Sequence, residues 1–333
     1  MPPGEEQADI PNSPSAARTA DLVYRMESLR VFIRIENAQY KRAPGSTGFE
    51  ARLKYQHRYH AGNFGDVLKH IALVELLGRL AAKDKPFFFL DTHAGRGEYR
   101  LDDVTRREAA HGVLKIAKSA PQSEAIQTWL ELVRRCNPPR AGNELRTYPG
   151  SPRLAQMLLR KNDRARFVEL QARDAEALSA AFGDDKQIQV EHGDGYHAIR
   201  ALLPPHERRG LVLIDPAYER QEKEFDEALA AVKSGLERWP TGIYCLWYPI
   251  KERSTLARLK RPFEEGGWPP TLAAELCVYR DDSRVGLNGA GVLILNPPWQ
   301  LDVSMRGWIK ELHDLLAYDP AAPWSVEWLV PDK

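Results

Sequence analysis

The alternation of short apolar runs with helical stretches is the feature that most constrains the fold of this 333-residue chain. From residue 51 onward, seven runs such as "PFFFLD" and "GLVLID" alternate with segments whose apolar residues recur at helical spacing. Apolar strands separated by helices are typical of a parallel sheet that is covered by helices on both faces. The sequence therefore predicts an α/β fold with a Rossmann-like, doubly wound, mostly parallel sheet of seven strands.

A C-terminal hairpin and a helical insertion complete the predicted fold. The runs "LAAELCVYR" and "GVLILNPPW" are joined by a polar, glycine-containing loop, which predicts a hairpin and places one antiparallel strand in the sheet. In "NFGDVLKHIALVELLGRLAAKDK", Asn63 is placed to cap the helix. Helical stretches at about 104–118 and 121–136 predict a small helical insertion, at about 98–150, within a single domain spanning 51–333.

The N-terminal segment and the cysteines indicate the cellular compartment of the protein. Residues 1–50 lack a sustained period and are rich in Pro, Ser, Ala and Gly, so we expect a mostly disordered extension. This segment has no basic stretch followed by an apolar one, and no run is long enough to span a bilayer. Cys136, Cys245 and Cys277 are scattered, which favours reduced side chains over a disulfide framework. We therefore expect a cytoplasmic protein.

Four consecutive predicted strands each end at an acidic residue. These residues are Asp91, Glu169, Asp194 and Asp215. Because ligands bind at the carboxyl ends of the parallel strands of such sheets, the four acids are expected at the ligand site. A carboxylate at a buried rim needs a donor to pair with. The ligand is therefore expected to carry several donor groups and no phosphates.

S-adenosylmethionine fits this set of acids. The glycine turn in "DTHAGRG" allows the backbone to approach the amino-acid end of the cofactor, and Glu169 can accept both ribose hydroxyls. Asp194 can accept the adenine amino group, and the cationic sulfonium tolerates acidic surroundings. NAD fits less well, because its pyrophosphate requires a third glycine where Arg100 stands. A dinucleotide-dependent oxidoreductase remains the alternative by fold.

A short phrase that ends an apolar run occurs twice, as "GLVLIDPAYER" and "GVLILNPPWQ". Both copies resemble the [DN]PP[YFW] signature of amino-group methyltransferases, although the first has Ala217 where the signature has its second proline. The second copy follows the closing strand of the hairpin. If that strand is antiparallel, Asn296 lies at the opposite edge of the sheet from Asp215. The sequence therefore predicts that the first copy is the active site.

The first copy supplies the groups that methylation of an adenine amine requires. The lone pair of this amine is delocalised into the ring. Donation of its hydrogens to the Asp215 carboxylate and the Pro216 carbonyl localises the lone pair, and Tyr218 can stack on the base for about 1–3 kcal/mol. Ala217 keeps the backbone acceptors but loses the stiffness of the second proline. A buried Asp215 that only caps the next helix, and a catalytically weakened RNA-binding relative, are the alternatives.

Positive charge is concentrated in one part of the chain. Residues 98–166 hold fourteen Arg and Lys against eight Asp and Glu, whereas the net charge of the whole chain is only +1. A field of one sign confined to one region favours a polyanionic partner. A solvated helical face would explain the same pattern, so charge alone leaves both interpretations open.

Eight segments, spanning about residues 53–330 in order, form a recognisable set: "YQHRYHAGNFGDVLKH", "FLDTHAGRGEY", "YPGSP", "VEL", "DGYHAI", "RRGLVLIDPAYE", "LWYP" and "LILNPPW". Together they resemble the RlmJ family of 23S rRNA adenine-N6 methyltransferases. The resemblance implies S-adenosylmethionine-dependent methylation of the N6 amine of an adenine in 23S rRNA, by a Rossmann-like domain with a helical insertion after the first strand. Ala217 and the N-terminal extension depart from the family pattern. DNA adenine and protein glutamine methyltransferases use similar motifs, and only the resemblance favours rRNA.

The resemblance also implies individual site residues. Its cofactor contacts fall on His70, His93, Ser151, Glu169, Asp194, Gly195 and Asp215, and its substrate contacts fall on Tyr55, His57 and Lys69. The residues before the first helix are placed where a flap would close over a base extruded from RNA. His57 and His60 have no third ligand at suitable spacing, so we expect no metal. We expect a monomer that does not bind membranes.

Overall fold

The computed structural model describes residues 60–102, 105–137, 144–218, 221–252, 254–283 and 286–332. The strands are β1 (Phe88–Asp91), β2 (Glu98–Arg100), β3 (Thr147–Pro149), β4 (Arg164–Glu169), β5 (Ile188–His192), β6 (Gly210–Ile214), β7 (Ile243–Ile250), β8 (Thr271–Cys277), β9 (Gly289–Leu295) and β10 (Trp324–Val330). The helices are α1 (Phe64–Ala81), α2 (Thr105–Ala109), α3 (Val113–Ala117), α4 (Glu124–Arg135), α5 (Ser151–Leu158), α6 (Ala172–Phe182), α7 (Gly195–Leu202), α8 (Gln221–Arg238), α9 (Ser254–Glu264) and α10 (Leu301–Leu316). The predicted extension at 1–50 lies outside the described residues.

One large sheet holds eight strands in the order β10-β8-β9-β7-β6-β1-β4-β5. The pairs from β5 through β4, β1 and β6 to β7 are parallel, whereas β9 is antiparallel to both β7 and β8. The doubly wound α/β fold and the antiparallel strand of the hairpin are therefore confirmed. The sheet has one strand more than the seven predicted, because β10 pairs antiparallel with β8 at the edge. Only Val326 of β10 is buried, and Ser325 and Glu327 interrupt its apolar residues, so β10 lacks the continuous buried run of the central strands.

The two faces of the large sheet pack against different helices. In β6, Leu211 and Leu213 join the core formed with α1, α5 and α10, whereas Val212 and Ile214 join the core formed with α7, α8 and α9. This alternation follows from the two-residue period of a strand, which points successive side chains to opposite faces. The same alternation places the side chain of Asp215, two positions after Leu213, on the face of the sheet that packs against α1.

Between β1 and α5, the chain forms β2, α2, α3, α4 and β3, and the two strands pair antiparallel in a small sheet of their own. The single helix expected at about 104–118 is two short helices, with a break at Gly112. A Cβ atom on Gly112 would lie 2.2 Å from the carbonyl oxygen of Gly62, and the backbone N–H of Val113 donates to that oxygen at 2.9 Å. The helix is interrupted because the segment before α1 passes against its backbone. None of the helices in the described ranges is long and apolar enough to cross a membrane.

Candidate active site

Acidic residues meet at one edge of the large sheet. Asp91 ends β1 and Glu169 ends β4, while Asp194 and Asp215 follow β5 and β6. Because β5, β4, β1 and β6 are parallel neighbours, their carboxyl ends lie side by side. The structure therefore brings together the four acids that the sequence places at strand ends, which is the position where α/β sheets bind ligands.

A buried lysine joins two carboxylates at the centre of this edge. The Nζ of Lys69 lies 2.5 Å from Oδ2 of Asp215 and 2.8 Å from Oδ1 of Asp66. The side chains of Lys69 and Asp66 are each 4% exposed, and that of Asp215 is 15% exposed. Burial opposes the charge on Lys69, but the two carboxylates outweigh it and raise the pKa of the ammonium above its ordinary value. The lysine is therefore a fixed cation at physiological pH.

The first turn of α1 holds this lysine in place. Asn63 caps the helix as predicted, with its side-chain oxygen accepting from the N–H of Asp66 at 3.0 Å. Oδ2 of Asp66 accepts from the backbone N–H of Gly62 at 2.9 Å, which leaves Oδ1 for the lysine three residues later. Asp66 is not among the residues predicted from the sequence. The signal that could have found it is its i,i+3 spacing from Lys69, which places both side chains on one face of the helix.

Lys69, expected as a substrate contact, is buried, and its described ion-pair partners are Asp66 and Asp215. Its contact with a substrate stays a prediction. The other two expected substrate contacts, Tyr55 and His57, lie outside the described residues.

Asp91 is a second buried acid on the α1 side of the sheet. Its Oδ1 accepts a 3.3 Å hydrogen bond from the N–H of His93, whereas Oδ2 has no hydrogen-bond partner among the described residues. Burial raises the pKa of the Asp91 carboxyl to about 7, against the opposing effect of Ser151, and the charge on Asp215 adds to the rise. The end of β1 therefore carries a buried carboxyl group that has no ion-pair partner among the described residues.

The glycine turn after β1 is tied to the end of β4. The N–H of Gly95 donates to Oε2 of Glu169 at 2.8 Å, and Oε1 accepts from the N–H of Gln171 at the same distance. Gly95 and Gly97 adopt φ angles of +61° and +78°, which residues other than glycine rarely adopt. Glu169 thus fixes the turn by accepting from backbone N–H groups on either side of it.

Asp194 and Gly195 form the start of α7. Oδ1 of Asp194 accepts from the N–H groups of Tyr196 and His197 at 2.8 and 3.1 Å, so this acid is a helix cap as well as a strand-end group. A Cβ atom on Gly195 would lie 2.0 Å from the carbonyl oxygen of Thr92. Glycine at this position therefore allows α7 to touch the turn that follows β1.

His70, His93 and Ser151 lie on three different elements, namely α1, the turn after β1 and the start of α5. The Nδ1 of His70 lies 2.7 Å from the Tyr148 hydroxyl, and the two rings stack. Burial lowers the pKa of His93 to about 4, so its imidazole is neutral at physiological pH, and its ring lies 5.3 Å from that of Tyr196 in α7. Ser151 is the buried first residue of α5 and interacts with Asp91. The roles of these three residues as cofactor contacts stay predictions.

Tyr218 lies in the core instead of on an open face. Its side chain is buried, the residue being 5% exposed, and its hydroxyl donates to the carbonyl oxygen of Trp247 at 2.7 Å. The ring lies 6.0 Å from that of Trp247, which itself packs against Gly65 at the start of α1. The φ of Tyr218 is +53°, an uncommon value for a bulky residue. Stacking of this ring on a base would require the side chain to leave its observed position.

The second copy of the repeated phrase lies at the other end of the sheet. Asn296 follows β9, whose last residue, Leu295, pairs with Tyr244 near the start of β7. The Asn296 side-chain amide donates to the carbonyl oxygens of Pro240 and Gly242, both at 2.8 Å. The topology inferred for this copy is confirmed. The hydrogen bonds of Asn296 connect the end of β9 to the residues that come just before β7.

The fold and the strand-end acids have the arrangement expected of an S-adenosylmethionine-dependent methyltransferase, and comparison with known proteins shows that the chain is one. A family model described as ribosomal RNA large subunit methyltransferase D, RlmJ, matches residues 84–330. Two curated relatives named ribosomal RNA large subunit methyltransferase J, from Haemophilus influenzae and Escherichia coli, are 38% and 37% identical over 283 residues. Each alignment covers 84% of this chain and the whole of the relative. The chain belongs to the RlmJ family.

A solved structure shares the fold. The crystal structure of protein LPL1258 from Legionella pneumophila is 33% identical, covers 80% of this chain and 98% of its own, and superposes with a TM-score of 0.72. Membership of a methyltransferase family rejects the dinucleotide-dependent oxidoreductase that the fold alone left open. Within the described ranges, no three His, Cys, Asp or Glu side chains are arranged to hold a metal ion.

Proposed function

We propose that the protein transfers a methyl group from S-adenosylmethionine to the N6 amine of an adenine in 23S rRNA. The observation that carries this proposal is the Asp215 carboxylate, which follows β6, is held by Lys69 through one oxygen, and is followed by the buried Pro216. The named activity of the two relatives supports large-subunit rRNA as the substrate. The resemblance of "DPAY" to the signature of amino-group methyltransferases supports adenine N6 as the acceptor.

The Asp215 carboxylate polarises the amine. Lys69 holds Oδ2, and we assign Oδ1 to one amine hydrogen and the Pro216 carbonyl to the other. These two acceptors would localise the lone pair on nitrogen, and the bound cofactor would supply the electrophilic methyl group. As the N–C bond forms and the sulfur keeps the electron pair of the broken S–C bond, the nitrogen would become positive, and the Asp215 carboxylate would stabilise this charge until the nitrogen loses a proton to water. Lys69 fixes the orientation of the Asp215 carboxylate through its contact with Oδ2.

The remaining strand-end groups fit the cofactor. We assign the ribose hydroxyls to Glu169 and the adenine amino group to Asp194, because both acids lie at carboxyl ends of neighbouring strands. The resemblance assigns His70, His93, Ser151 and Gly195 to the same ligand, and their positions around the end of β1 agree with this assignment.

The RNA is proposed to approach over the segment before α1 and the basic stretch at 98–166. Tyr55 and His57 are assigned to the extruded base from the resemblance, and Tyr218 is assigned to stacking after it has turned out of the core. We propose that the protein acts as a monomer in the cytoplasm and uses no metal.

The activity is tested by mass spectrometry of 23S rRNA from cells with and without the gene. We expect one N6-methyladenine to disappear without the gene and to return when the gene is restored. Identical rRNA in both strains would contradict the proposal. A protein that binds S-adenosylhomocysteine but does not methylate unmodified rRNA in vitro would instead be the weakened relative.

For the active enzyme, we expect Ala217→Pro to keep or raise the rate, because Pro216 would be held more rigidly.

A further inference from the structure

An indole side chain is exposed at the edge of the large sheet that lies opposite the candidate active site. Trp299 is 78% exposed, and Val303, in the first turn of α10, is 65% exposed. Trp299 comes four residues after Leu295, the last residue of β9, which pairs with Tyr244 near the start of β7. Trp299 therefore lies at the edge where the parallel strands begin, which we call the amino edge.

The backbone at Trp299 is held in place, although its side chain is free. Its carbonyl oxygen accepts a 2.7 Å hydrogen bond from Nη1 of Arg79, and Arg79 is itself paired with Glu75 at 2.8 Å. With the backbone fixed, only the two side-chain angles of the indole are left to be ordered when a ligand binds. A single exposed aromatic residue is common on protein surfaces, so the surroundings of Trp299 decide what it can bind.

Positive charge surrounds this indole. Four segments make up the amino edge, and apart from the last they lead into β1, β4 and β6: residues 75–86, 160–164, 206–209 and 299–303. They hold eight Arg and Lys against five Asp and Glu, whereas the net charge of the whole chain is only +1. Lys83, Lys85 and Arg208 are exposed among them. An excess of positive charge therefore remains after every acid of these segments is matched to a cation.

Hydrogen bonds join these segments into one surface. Arg160, before β4, donates to the carbonyl oxygens of Ala81 and Lys83 at 2.8 and 2.7 Å. Arg209, before β6, donates to the carbonyl oxygen of Lys85 at 2.6 Å. Burial and the charge on Arg160 lower the pKa of the Arg209 guanidinium, so the two cations lie close enough to repel each other. The loop before β1 and the starts of β4 and β6 thus form a continuous positive surface, and Arg79 links it to Trp299.

We propose that the amino edge binds a second segment of large-subunit rRNA, with an unpaired base stacked on Trp299 and the flanking phosphates beside the surrounding cations. Aromatic side chains stack on bases of any sequence, and Arg and Lys contact phosphates. This inference rests on large-subunit rRNA as the substrate and not on the position of the methylated nitrogen.

A protein partner fits this surface less well. Stable protein interfaces bury roughly 800 Å² on each side, and their centres are apolar and depleted of charge. On the described part of the amino edge, the exposed large hydrophobic residues are Trp299 and Val303, and cations lie around them. One indole among cations matches the flat face of a base and its phosphates.

The proposed segment is distinct from the one that carries the target base. Strand β6 has five residues, with Arg209 before it and Asp215 after it. At about 3.3 Å per residue, the two edges lie roughly 17 Å apart through the sheet, and the path around the protein surface is longer. A short hairpin that fills the active site therefore lacks the second contact, whereas a long folded rRNA can make both.

Binding to two RNAs tests the aromatic part of the surface. One is a domain-length fragment of unmodified 23S rRNA, and the other is a short hairpin taken from it around the methylated adenine. We expect Trp299→Ala to weaken binding of the long RNA by at least about tenfold, as loss of one stacked base does. Trp299→Phe should keep most of this affinity, because it retains an aromatic face. Both variants should bind the hairpin like the parent protein, and their single-turnover rates at saturating RNA should be unchanged.

A pair of charge reversals tests the cations. Lys83→Glu combined with Lys85→Glu should weaken binding of the long RNA and reduce its logarithmic salt slope by about two. Lys233→Glu combined with Lys310→Glu is the matched control, since both lysines are exposed, lie on α8 and α10 outside the amino edge, and give the same change in net charge. This control should change the slope much less.

Hydroxyl-radical footprinting locates the second contact on the RNA. The parent protein should protect two segments of the long RNA, and Trp299→Ala should lose the one that is distant from the methylated adenine. A parent that binds neither RNA would overturn rRNA as the substrate. A parent that binds both, with long-RNA affinity and footprint unchanged in Trp299→Ala and in the Lys83 and Lys85 variant, would overturn the amino edge alone and favour a protein partner. If Trp299→Ala does not fold, a parent footprint confined to the segment of the methylated adenine still overturns it.

Discussion

One lysine, Lys69, connects two acidic residues of the site. Lys69 lies between Asp66 and Asp215, and all three side chains are largely shielded from water. A pair of carboxylates this close together repels strongly without the cation, because the effective dielectric constant at a shielded site is well below that of water. The lysine therefore stabilises the fold at the N-terminus of α1 and holds the Asp215 carboxylate in place.

We expect Lys69→Met to lower both stability and activity. Removal of one partner from a buried ion pair typically costs about 3–5 kcal/mol, because the remaining charges are uncompensated. The free energy of unfolding in urea measures this loss, and single-turnover methylation should fall at least about a hundredfold. Lys310→Met is the matched control, since Lys310 forms an exposed pair with Asp314 and should cost less than about 1 kcal/mol. Equal losses for the two variants would contradict the account.

A second residue-scale prediction concerns Asp91 and pH. The raised pKa of about 7 means that the folded protein holds a proton that the unfolded chain releases near pH 3.8. The stability from this group is present below pH 3.8 and is lost as the pH rises through 7. We therefore expect Asp91→Asn, without ligand, to be about 1–3 kcal/mol more stable than the parent at pH 8 and little different at pH 4. Urea unfolding at both pH values measures the difference, and parallel pH profiles would count against a protonated Asp91.

At the scale of elements, local signals predicted most of the helices and strands. The cap at Asn63 and the helical period predicted α1, and continuous apolar runs predicted the central strands. The sequence did not reveal β10, because the apolar residues of this edge strand are interrupted by Ser325 and Glu327 and only one of them is buried. The break between α2 and α3 was also missed, since it comes from the approach of Gly62 to Gly112, which are distant in sequence. Elements defined by long-range contacts were the ones that local patterns could not predict.

The contact of α7 with the turn after β1 gives a prediction for this element. Gly195→Ala would place a Cβ 2.0 Å from the Thr92 carbonyl, so α7 must shift away from the end of β1. We expect a loss of about 1–3 kcal/mol in unfolding free energy. Binding of S-adenosylhomocysteine, measured by calorimetry, should also weaken because Asp194 moves with the helix.

Another glycine in a helix provides the control. A Cβ atom on Gly307 in α10 would meet open space, so Gly307→Ala should raise stability by up to about 1 kcal/mol through helix propensity. An equal, harmless effect of both substitutions would show that close packing at Gly195 is not required.

At the scale of the whole molecule, the topology decided between two similar phrases. The order of strands placed Asp215 beside the end of β1 and Asn296 at the opposite edge, and this followed from the hairpin pattern in the sequence. The burial of Tyr218 was not predictable, because its partner Trp247 lies on a different strand. Strand-end acids can be identified from sequence, whereas partners that join distant elements require the folded structure.

The distribution of charge over the molecule predicts a salt-dependent interaction with RNA. Arg134 and Arg135 lie in the last turn of α4, and both are exposed. Affinity for a 23S rRNA fragment should fall steeply with salt through counterion release. Reversing both charges to Glu should weaken RNA binding and reduce the logarithmic salt slope by about two, while S-adenosylhomocysteine affinity stays unchanged. Filter binding across a salt series measures the slope, and an unaltered slope would exclude this helix from the RNA-binding surface.

The most direct test of the account compares the two copies of the phrase. In single-turnover methylation of unmodified 23S rRNA, Asp215→Ala should abolish methyl transfer yet leave RNA binding largely unchanged, because it removes the acceptor that polarises the amine. Asn296→Ala should retain most activity and lose about 1–3 kcal/mol of stability, as its contacts to Pro240 and Gly242 are structural. An inactive Asn296→Ala beside an active Asp215→Ala would contradict the assignment of the active site to the end of β6.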